Sequence, residues 1–394
     1  MSTFADLITF TRGATGTYQG KDGCLKTAAI NEPRFEYTVA GESLGLLVEE
    51  SRANVALQSE DMTEPNKTGL TITPNARKAP DDVGFADLCK LSTAAEEHFV
   101  QRGGAAVIGT KYAVSCFVRK AQGTVYFGFG GLGIGSNPPL FNLVTGAIHT
   151  VGSYPAWDKV KIESYSEEFY RCSAVGTAAG TTATKFLVTN DPSNLSAAGN
   201  GSDGAYIWGT QVEENKNFCT SYIPTTVSTV TRGADVATAS LSSGFYYRQQ
   251  QGTFIVNFKP KYDKENTNFL RVAELGEASS QATRMPFLVE TLNTRLRFQA
   301  FESNGAVFNE ILTGALSNDN GFVKAGVSYV PSSARSAYEG DLIDEEDKTM
   351  ALASTRTTLG IMQKANSGGT LTGHIKSITY FPRRMLNSEL AALT

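Results

Sequence analysis

Hydrophobic and polar positions along the chain alternate in twos far more often than they recur at helical spacing. In Gly204-Ala-Tyr-Ile-Trp-Gly-Thr-Gln-Val-Glu213, Tyr206, Trp208, Thr210 and Val212 fall on one side and Ile207, Gly209, Gln211 and Glu213 on the other. This is the pattern of a half-buried strand, with Trp208 turned toward a core. Similar short runs precede it: Phe99-Val100, Tyr112 to Val118, Thr124 to Phe129, Lys159 to Ile162, Tyr170 to Ala174 and Lys185 to Thr189, separated by Gly, Asn, Pro and Ser clusters. Their spacing predicts a jelly-roll sandwich. A second series comprises Gly252 to Phe258, Phe269 to Leu275, Pro286 to Glu290, Arg295 to Glu302, Gly321 to Val330, Thr358 to Met362 and Gly373 to Phe381, and predicts two more packed sheets. Within it, Leu296, Phe298 and Ala300 face inward while Arg295, Arg297 and Gln299 face outward. Between the series, Tyr222 to Asp235 is rich in Thr and Val and reads as an extended connector.

The expected organisation is a leader over 1–58, a jelly roll over 59–223, a connector over 224–235 and a second sandwich over 236–394. The leader has a tight-turn signal at Asp22-Gly23 and an apolar run, Leu46-Leu-Val48, with too few residues of its own to bury it. Its cover is the following domain or a neighbouring subunit, and a neighbouring copy is the expectation. One short repeat stands out: Thr9-Phe-Thr-Arg-Gly-Ala14 recurs as Thr229-Val-Thr-Arg-Gly-Ala234. It reads as a shared strand-turn in which Gly supplies an unusual φ and Arg12 or Arg232 lies on the surface; a ligand role for either arginine is the alternative.

The segment Tyr206-Ile-Trp-Gly-Thr-Gln-Val-Glu213, followed by Thr220-Ser-Tyr-Ile-Pro-Thr225 and Thr231-Arg-Gly-Ala-Asp235, resembles one that recurs in tail-fibre and appendage proteins of tailed bacteriophages. Phe141-Asn-Leu-Val-Thr-Gly-Ala147 and Phe169-Tyr-Arg-Cys-Ser173 are similar to strands of the jelly roll in that family. Val323-Lys-Ala-Gly-Val-Ser-Tyr329, Tyr338-Glu-Gly340 and Gly373 to Leu390 resemble the closing strands and terminal helical turn of concanavalin A-like domains. The resemblance implies an all-β protein: a leader of hairpins, a carbohydrate-binding-module-like jelly roll and a concanavalin A-like (laminin G-like) sandwich. It further implies a virion protein assembled in the host cytoplasm, usually a homotrimer, with other tail proteins and a host-surface polysaccharide as partners. Physically, Asn387 or Ser388 can cap the terminal helix, with Leu390 and Leu393 folding back on the sandwich.

Composition narrows the functional classes. The 38 glycines and 19% charged residues favour short strands and tight turns over helices. A net charge of −4 without a Lys/Arg cluster argues against a nucleic-acid groove. The start Met1-Ser-Thr-Phe-Ala-Asp has no basic segment leading into an apolar run, and no stretch is long and apolar enough to span a bilayer, so neither a signal peptide nor membrane insertion is expected. Cys24, Cys89, Cys116, Cys172 and Cys219 are odd in number and far apart, which favours reduced, buried thiols over a disulfide framework or zinc site.

Candidate chemistry is sparse. Gly128-Phe-Gly-Gly-Leu-Gly133 satisfies G-x-G-x-x-G, but the prolines at 138 and 139 block the helix that a dinucleotide site requires. His98, His149 and His374 lie far apart with no nucleophile elbow or zinc spacing, so no catalytic residues are assigned and no enzyme is expected. The acidic run Glu339, Asp341, Asp344, Glu345, Glu346 and Asp347 reads as a solvated loop; calcium on Asp341, Asp344 and Asp347 is the alternative, and glycoside hydrolysis by a capsule depolymerase a third. For stacking on sugar rings the candidates are Tyr154, Trp157, Tyr246 and Tyr247, with Arg295 and Arg297 for acidic sugars, and packing is the competing role for each aromatic. The expected function is noncatalytic recognition of a host-surface glycan. The rival is a purely structural virion component, such as a tail collar, fibre adaptor or head decoration.

Overall fold

The computed structural model describes residues 7–394 apart from 65, 136, 150–155, 242–245, 262–268, 278–279, 291–294, 303–304, 312–320, 332, 344–355 and 365–369. Two antiparallel β-sandwiches follow each other, and a short helix, Asn387–Leu393, ends the chain.

In the first, a jelly roll, one sheet orders Ala147–His149, Leu140–Asn142, Tyr126–Gly130, Thr184–Thr189, Phe99–Arg102 and Lys67–Thr68. The other orders Trp157–Ser164, Tyr170–Thr177, Lys111–Gln122, Gly204–Glu214, Phe85–Leu91 and Leu70–Lys78. The two strands over residues 70–91 were not singled out by alternation; Leu70–Lys78 is largely exposed and carries a proline, so its pattern is weak. Phe127, Phe129, Phe141 and Phe186 fill the core with Cys89, Cys116 and Cys172, all fully buried.

Strand Gly204–Glu214 departs from simple alternation. Ser115 pairs with Gln211 but Phe117 with Trp208, so one extra residue bulges out of the strand at Gly209, whose φ is +66°. Before the bulge Ile207 faces the jelly-roll core and Trp208 the opposite side; after it, Val212 faces the core. Trp208 and Val212, set on one side by period two, therefore lie on opposite faces. The outer face is covered as well: Trp208 packs with Phe117, Tyr222, Phe169 and Leu25 of the leader.

The second sandwich consists of two seven-stranded sheets, and the leader supplies strands to both. Ile8–Thr11 pairs with Val236–Ser240 at one edge. Ser43–Val48 pairs with Thr372–Phe381 in the other sheet and carries Arg34–Tyr37 on its far side. Leu46 and Val48 lie in the second core with Phe254, Phe258 and Phe287. The apolar run of the leader is thus covered within one chain, which corrects the expected neighbouring copy: hydrogen bonding to the closing strand extends the sheet by two strands, and Arg34–Tyr37 becomes its edge. As the alternation implied, Leu296, Phe298 and Ala300 are fully buried. At the chain end Leu390 packs on Ile255 and Ala337, while Leu393 stays 39% exposed. Neither Asn387 nor Ser388 caps the helix; Leu386 occupies that position, and the Glu389 carboxylate accepts from its backbone N–H at 2.8 Å.

Between the sandwiches lies a buried ionic network. Arg12 Nη1 is 3.1 Å from Asp235 Oδ1, Arg34 Nη1 is 2.7 Å from Glu49 Oε2, and Arg232 Nη1 is 2.8 Å from that same Oε2. Arg34 also pairs with Asp235. Ser221 donates its backbone N–H and hydroxyl to Glu49 and accepts from Arg34 and Arg232. Beside it, Arg52 contacts Glu50 at 2.7 Å and Glu213 at 3.6 Å. Arg12 and Arg232 are each 1% exposed, which corrects their expected surface position. The two copies of the Thr-x-Thr-Arg-Gly-Ala repeat meet here, and each inserts its arginine among the same carboxylates. Such charges are tolerated away from water only when paired and hydrogen-bonded.

Candidate functional site

The ionic network fixes the outer face of one jelly-roll sheet against the second sandwich, and a groove remains open beside it. One part, of about 600 Å³, is lined by Lys161, Glu163 and Arg171 of the jelly roll, Asn217 to Cys219 of the following turn, and Lys261 of the second sandwich. A second part of about 360 Å³ shares Lys161, Glu163, Arg171, Cys219 and Lys261 and reaches Lys259, Glu36 and His374. The two form one continuous groove bounded by both sandwiches.

Several lining side chains are positioned by identifiable contacts. Lys161 Nζ lies 2.8 Å from Glu163 Oε1, both half-exposed on the same outward row of strand Trp157–Ser164; Val160 and Ile162, on either side of Lys161, pack toward the core. Arg171 donates to Ser115 Oγ at 3.1 Å and to the Thr220 carbonyl at 2.6 Å, so it ties the sheet to the segment that follows strand Gly204–Glu214 and forms the groove floor. Lys261 reaches across the seam: its Nζ donates to the Cys219 carbonyl at 2.8 Å and stands 5.6 Å from the centre of the Phe218 ring. Arg52 lies 4.3 Å from that ring. Burial pushes the Cys219 thiol up to about 12, so it adds no negative charge near neutral pH. At the far end His374 Nε2 and Glu36 Oε2 are 2.6 Å apart.

The larger part of the groove presents five cationic side chains, Lys111, Lys159, Lys161, Arg171 and Lys261, against two carboxylates, Asp158 and Glu163. The whole chain carries −4. A local excess of positive charge on an acidic protein, walled by protein on both sides, attracts anions.

The residues expected to bind sugar do not converge. Tyr154 lies outside the described residues. Trp157 is 4% exposed and stacks on Phe129 at 6.3 Å, a core residue and not a stacking platform. Tyr246 is 88% exposed, and Tyr247 packs against Tyr380 at 5.4 Å beside the second core. Arg295 and Arg297 sit half-buried on strand Arg295–Glu302. Of these described residues, Trp157, Tyr246, Tyr247, Arg295 and Arg297, none lines the groove. Asp341 is exposed at the end of a two-residue strand, and Asp344 and Asp347 lie outside the described residues. Among the described residues no group of three His, Cys, Asp or Glu could hold a metal.

The histidines sit in separate places. His98 is buried, which lowers its pKa, His149 meets the Tyr126 ring at 4.9 Å, and His374 pairs with Glu36. After the glycine-rich run the chain enters strand Leu140–Asn142, and no helix follows it among the described residues. A Cβ at Gly131 would lie 2.0 Å from the Ala183 carbonyl oxygen, so close backbone packing accounts for this glycine.

The groove residues were hard to find in sequence because they come from several separate segments, strands Trp157–Ser164 and Tyr170–Thr177, the turn at 217–219 and Lys261. One signal was present, the lysines flanking Val160 in a strand whose apolar residues face inward.

No protein-family model matches the chain, and no curated protein matches it in sequence. Among solved structures the chain is similar to the CBM40 of the Ruminococcus gnavus IT-sialidase, at 11% identity over 37% of this chain and 83% of that one, with a TM-score of 0.31. It is similar to an SAP-like pentraxin from Limulus polyphemus at 10% identity, over 36% of this chain and 69% of that one, with a TM-score of 0.30. For chicken galectin 2 the identity is 11% over 33% and 89% of the two chains, with a TM-score of 0.23.

Proposed function

We propose that this protein is a noncatalytic glycan-binding component of a tailed-bacteriophage particle, a tail fibre or related appendage that contacts host-surface polysaccharide. The observation that carries the binding role is the groove between the two sandwiches, where charged and amide side chains surround a cavity large enough for sugar residues. The particle assignment rests on the resemblance of Tyr206 to Asp235 and of the C-terminal strands to phage appendage proteins. In this reading the protein works as a homotrimer beside other tail proteins, with contacts other than the Leu46-Leu-Val48 run, which is occupied within the chain. Binding of purified protein to a panel of bacterial surface polysaccharides tests the proposal, together with adsorption of particles lacking the protein.

The rival reading, a collar, adaptor or head decoration, draws on the ionic network, because two sandwiches locked into one body suit a spacer equally well. Normal adsorption without the protein and an empty glycan panel would establish that rival. Release of reducing ends from a polysaccharide would instead reveal a depolymerase.

A further inference from the structure

We infer that the groove selects an acidic polysaccharide, one bearing carboxylate or sulfate groups, and that a single chain of it contacts both sandwiches at once. This deepens the glycan reading and rests on it.

The charge is the first ground. Cationic side chains outnumber carboxylates five to two in the larger cavity, while the protein as a whole is acidic. The neutral Cys219 thiol does not offset them. The second ground is the mixture of groups. Asp158 and Glu163 stand among the lysines, with Asn217 beside them. Carboxylates and an amide satisfy sugar hydroxyls, which an acidic polysaccharide offers beside its charged groups while the lysines meet the charge. Among the described residues the groove offers no stacking row: Phe218 is 7% exposed with its ring already approached by Arg52 and Lys261, and Tyr165 is engaged edge-on with Phe117 at 5.0 Å. Single-stranded nucleic acid needs such aromatic platforms, so a hydroxyl-rich anion fits better.

The third ground is placement. Lys161 belongs to the jelly roll and Lys261 to the second sandwich, and both line the two connected cavities. An anionic chain lying along the groove meets cations from both bodies, held at fixed spacing by the ionic network beside them. Binding then requires no domain movement, and the ordering cost is limited to the ligand.

The test uses full-length protein and three probes: oligogalacturonate for carboxylate, dextran sulfate for sulfate, and dextran as the neutral control. Binding is measured by calorimetry at low and moderate salt. Lys161→Glu and Lys261→Gln are compared with the wild type after thermal melting has verified folding; Lys159→Glu, at an exposed position, serves as a second jelly-roll variant. At least one acidic probe should bind and dextran should not, the affinity should fall as salt rises, and variants on either sandwich should each weaken binding about tenfold. The relative affinity of the two acidic probes identifies the charged group. Equal binding of dextran, unchanged by the variants, would overturn the acidic preference and leave the glycan reading standing. Loss confined to variants of one sandwich would overturn the bridging arrangement. Failure of all three probes and of the wider polysaccharide panel would overturn both readings, and tighter binding of a single-stranded oligonucleotide would replace the ligand class.

Discussion

Glu49 and Arg232 form a buried ion pair, 2.8 Å apart, that joins the leader to the connector between the sandwiches. Burial alone would push the Glu49 carboxyl up. Arg232 and Arg34, with hydrogen bonds from Ser221, outweigh it and hold the carboxyl far below the usual carboxylate range. Glu49→Gln would leave Arg34 and Arg232 short of one negative charge where water cannot compensate, at a cost of about 3–5 kcal/mol. Denaturant unfolding should show the loss, and the conservative Glu49→Asp should recover part of it if the pairing and not the volume matters.

The same pair makes stability depend on pH with a definite sign. A carboxylate whose folded pKa is depressed contributes fully above its unfolded value, about 4.3, and the contribution fades as pH falls through the interval below it. Asp87 and Glu60 act in the opposite sense, since burial raises both and protonation relieves them. The gap in stability between wild type and Glu49→Gln should therefore be constant from pH 7 to about pH 5 and narrow toward pH 3. A gap that widens on acidification would contradict the ion-pair account.

How much of this was legible beforehand differs between core and seam. Alternation located Leu296, Phe298 and Ala300 because a half-buried strand writes its faces into the sequence. It placed Lys159 and Lys161 on a strand without indicating that Lys261 would stand across from them, because that juxtaposition depends on how two sandwiches dock. Arg12 and Arg232 were visible as a repeat, yet a charged residue in a Gly-bounded turn normally points to water. Their burial follows from Glu49 and Asp235, whose approach no local pattern encodes. The leader was legible as hairpins, but not its partner strands, since Ser43–Val48 pairs with a segment at the opposite end of the chain.

A fragment covering 236–394 should be poorly folded in isolation. It lacks the edge strand Ile8–Thr11 and the strands Arg34–Tyr37 and Ser43–Val48, and it leaves the apolar surface that Leu46 and Val48 cover open to solvent. Fusing residues 7–58 ahead of it through a flexible linker should restore cooperative unfolding and dispersed amide resonances. A stable, monomeric 236–394 fragment would show that the leader strands are dispensable.

Trp157 and Tyr246 separate packing from recognition. Trp157→Ala would remove a core side chain stacked on Phe129 and should cost about 3–5 kcal/mol. Tyr246→Ala, at an 88% exposed position, should shift stability by no more than about 0.5 kcal/mol. Neither residue lines the groove, so any folded variant of either should retain glycan affinity. A loss of binding by Tyr246→Ala without a loss of stability would place a second sugar contact on the second sandwich.

Gly209 is the position where the bulge reverses the faces of its strand. Its φ of +66° lies in the left-handed region, where an added Cβ costs about 1 kcal/mol relative to glycine. That Cβ would also come 2.9 Å from Phe117 Cδ2, and Phe117 is packed edge-on against Trp208 and Tyr222, so it has little room to retreat. Gly209→Ala should therefore cost more than the backbone penalty alone, about 2–3 kcal/mol once crowding is included. Its effect should extend to the seam, because Gln211 and Glu213 just beyond the bulge hold the backbone of Thr220 and Ile223. If the bulge sets the register of those contacts, Gly209→Ala will lower denaturant stability and weaken binding in the groove together. A variant that lost stability but bound unchanged would separate the bulge from the geometry of the seam.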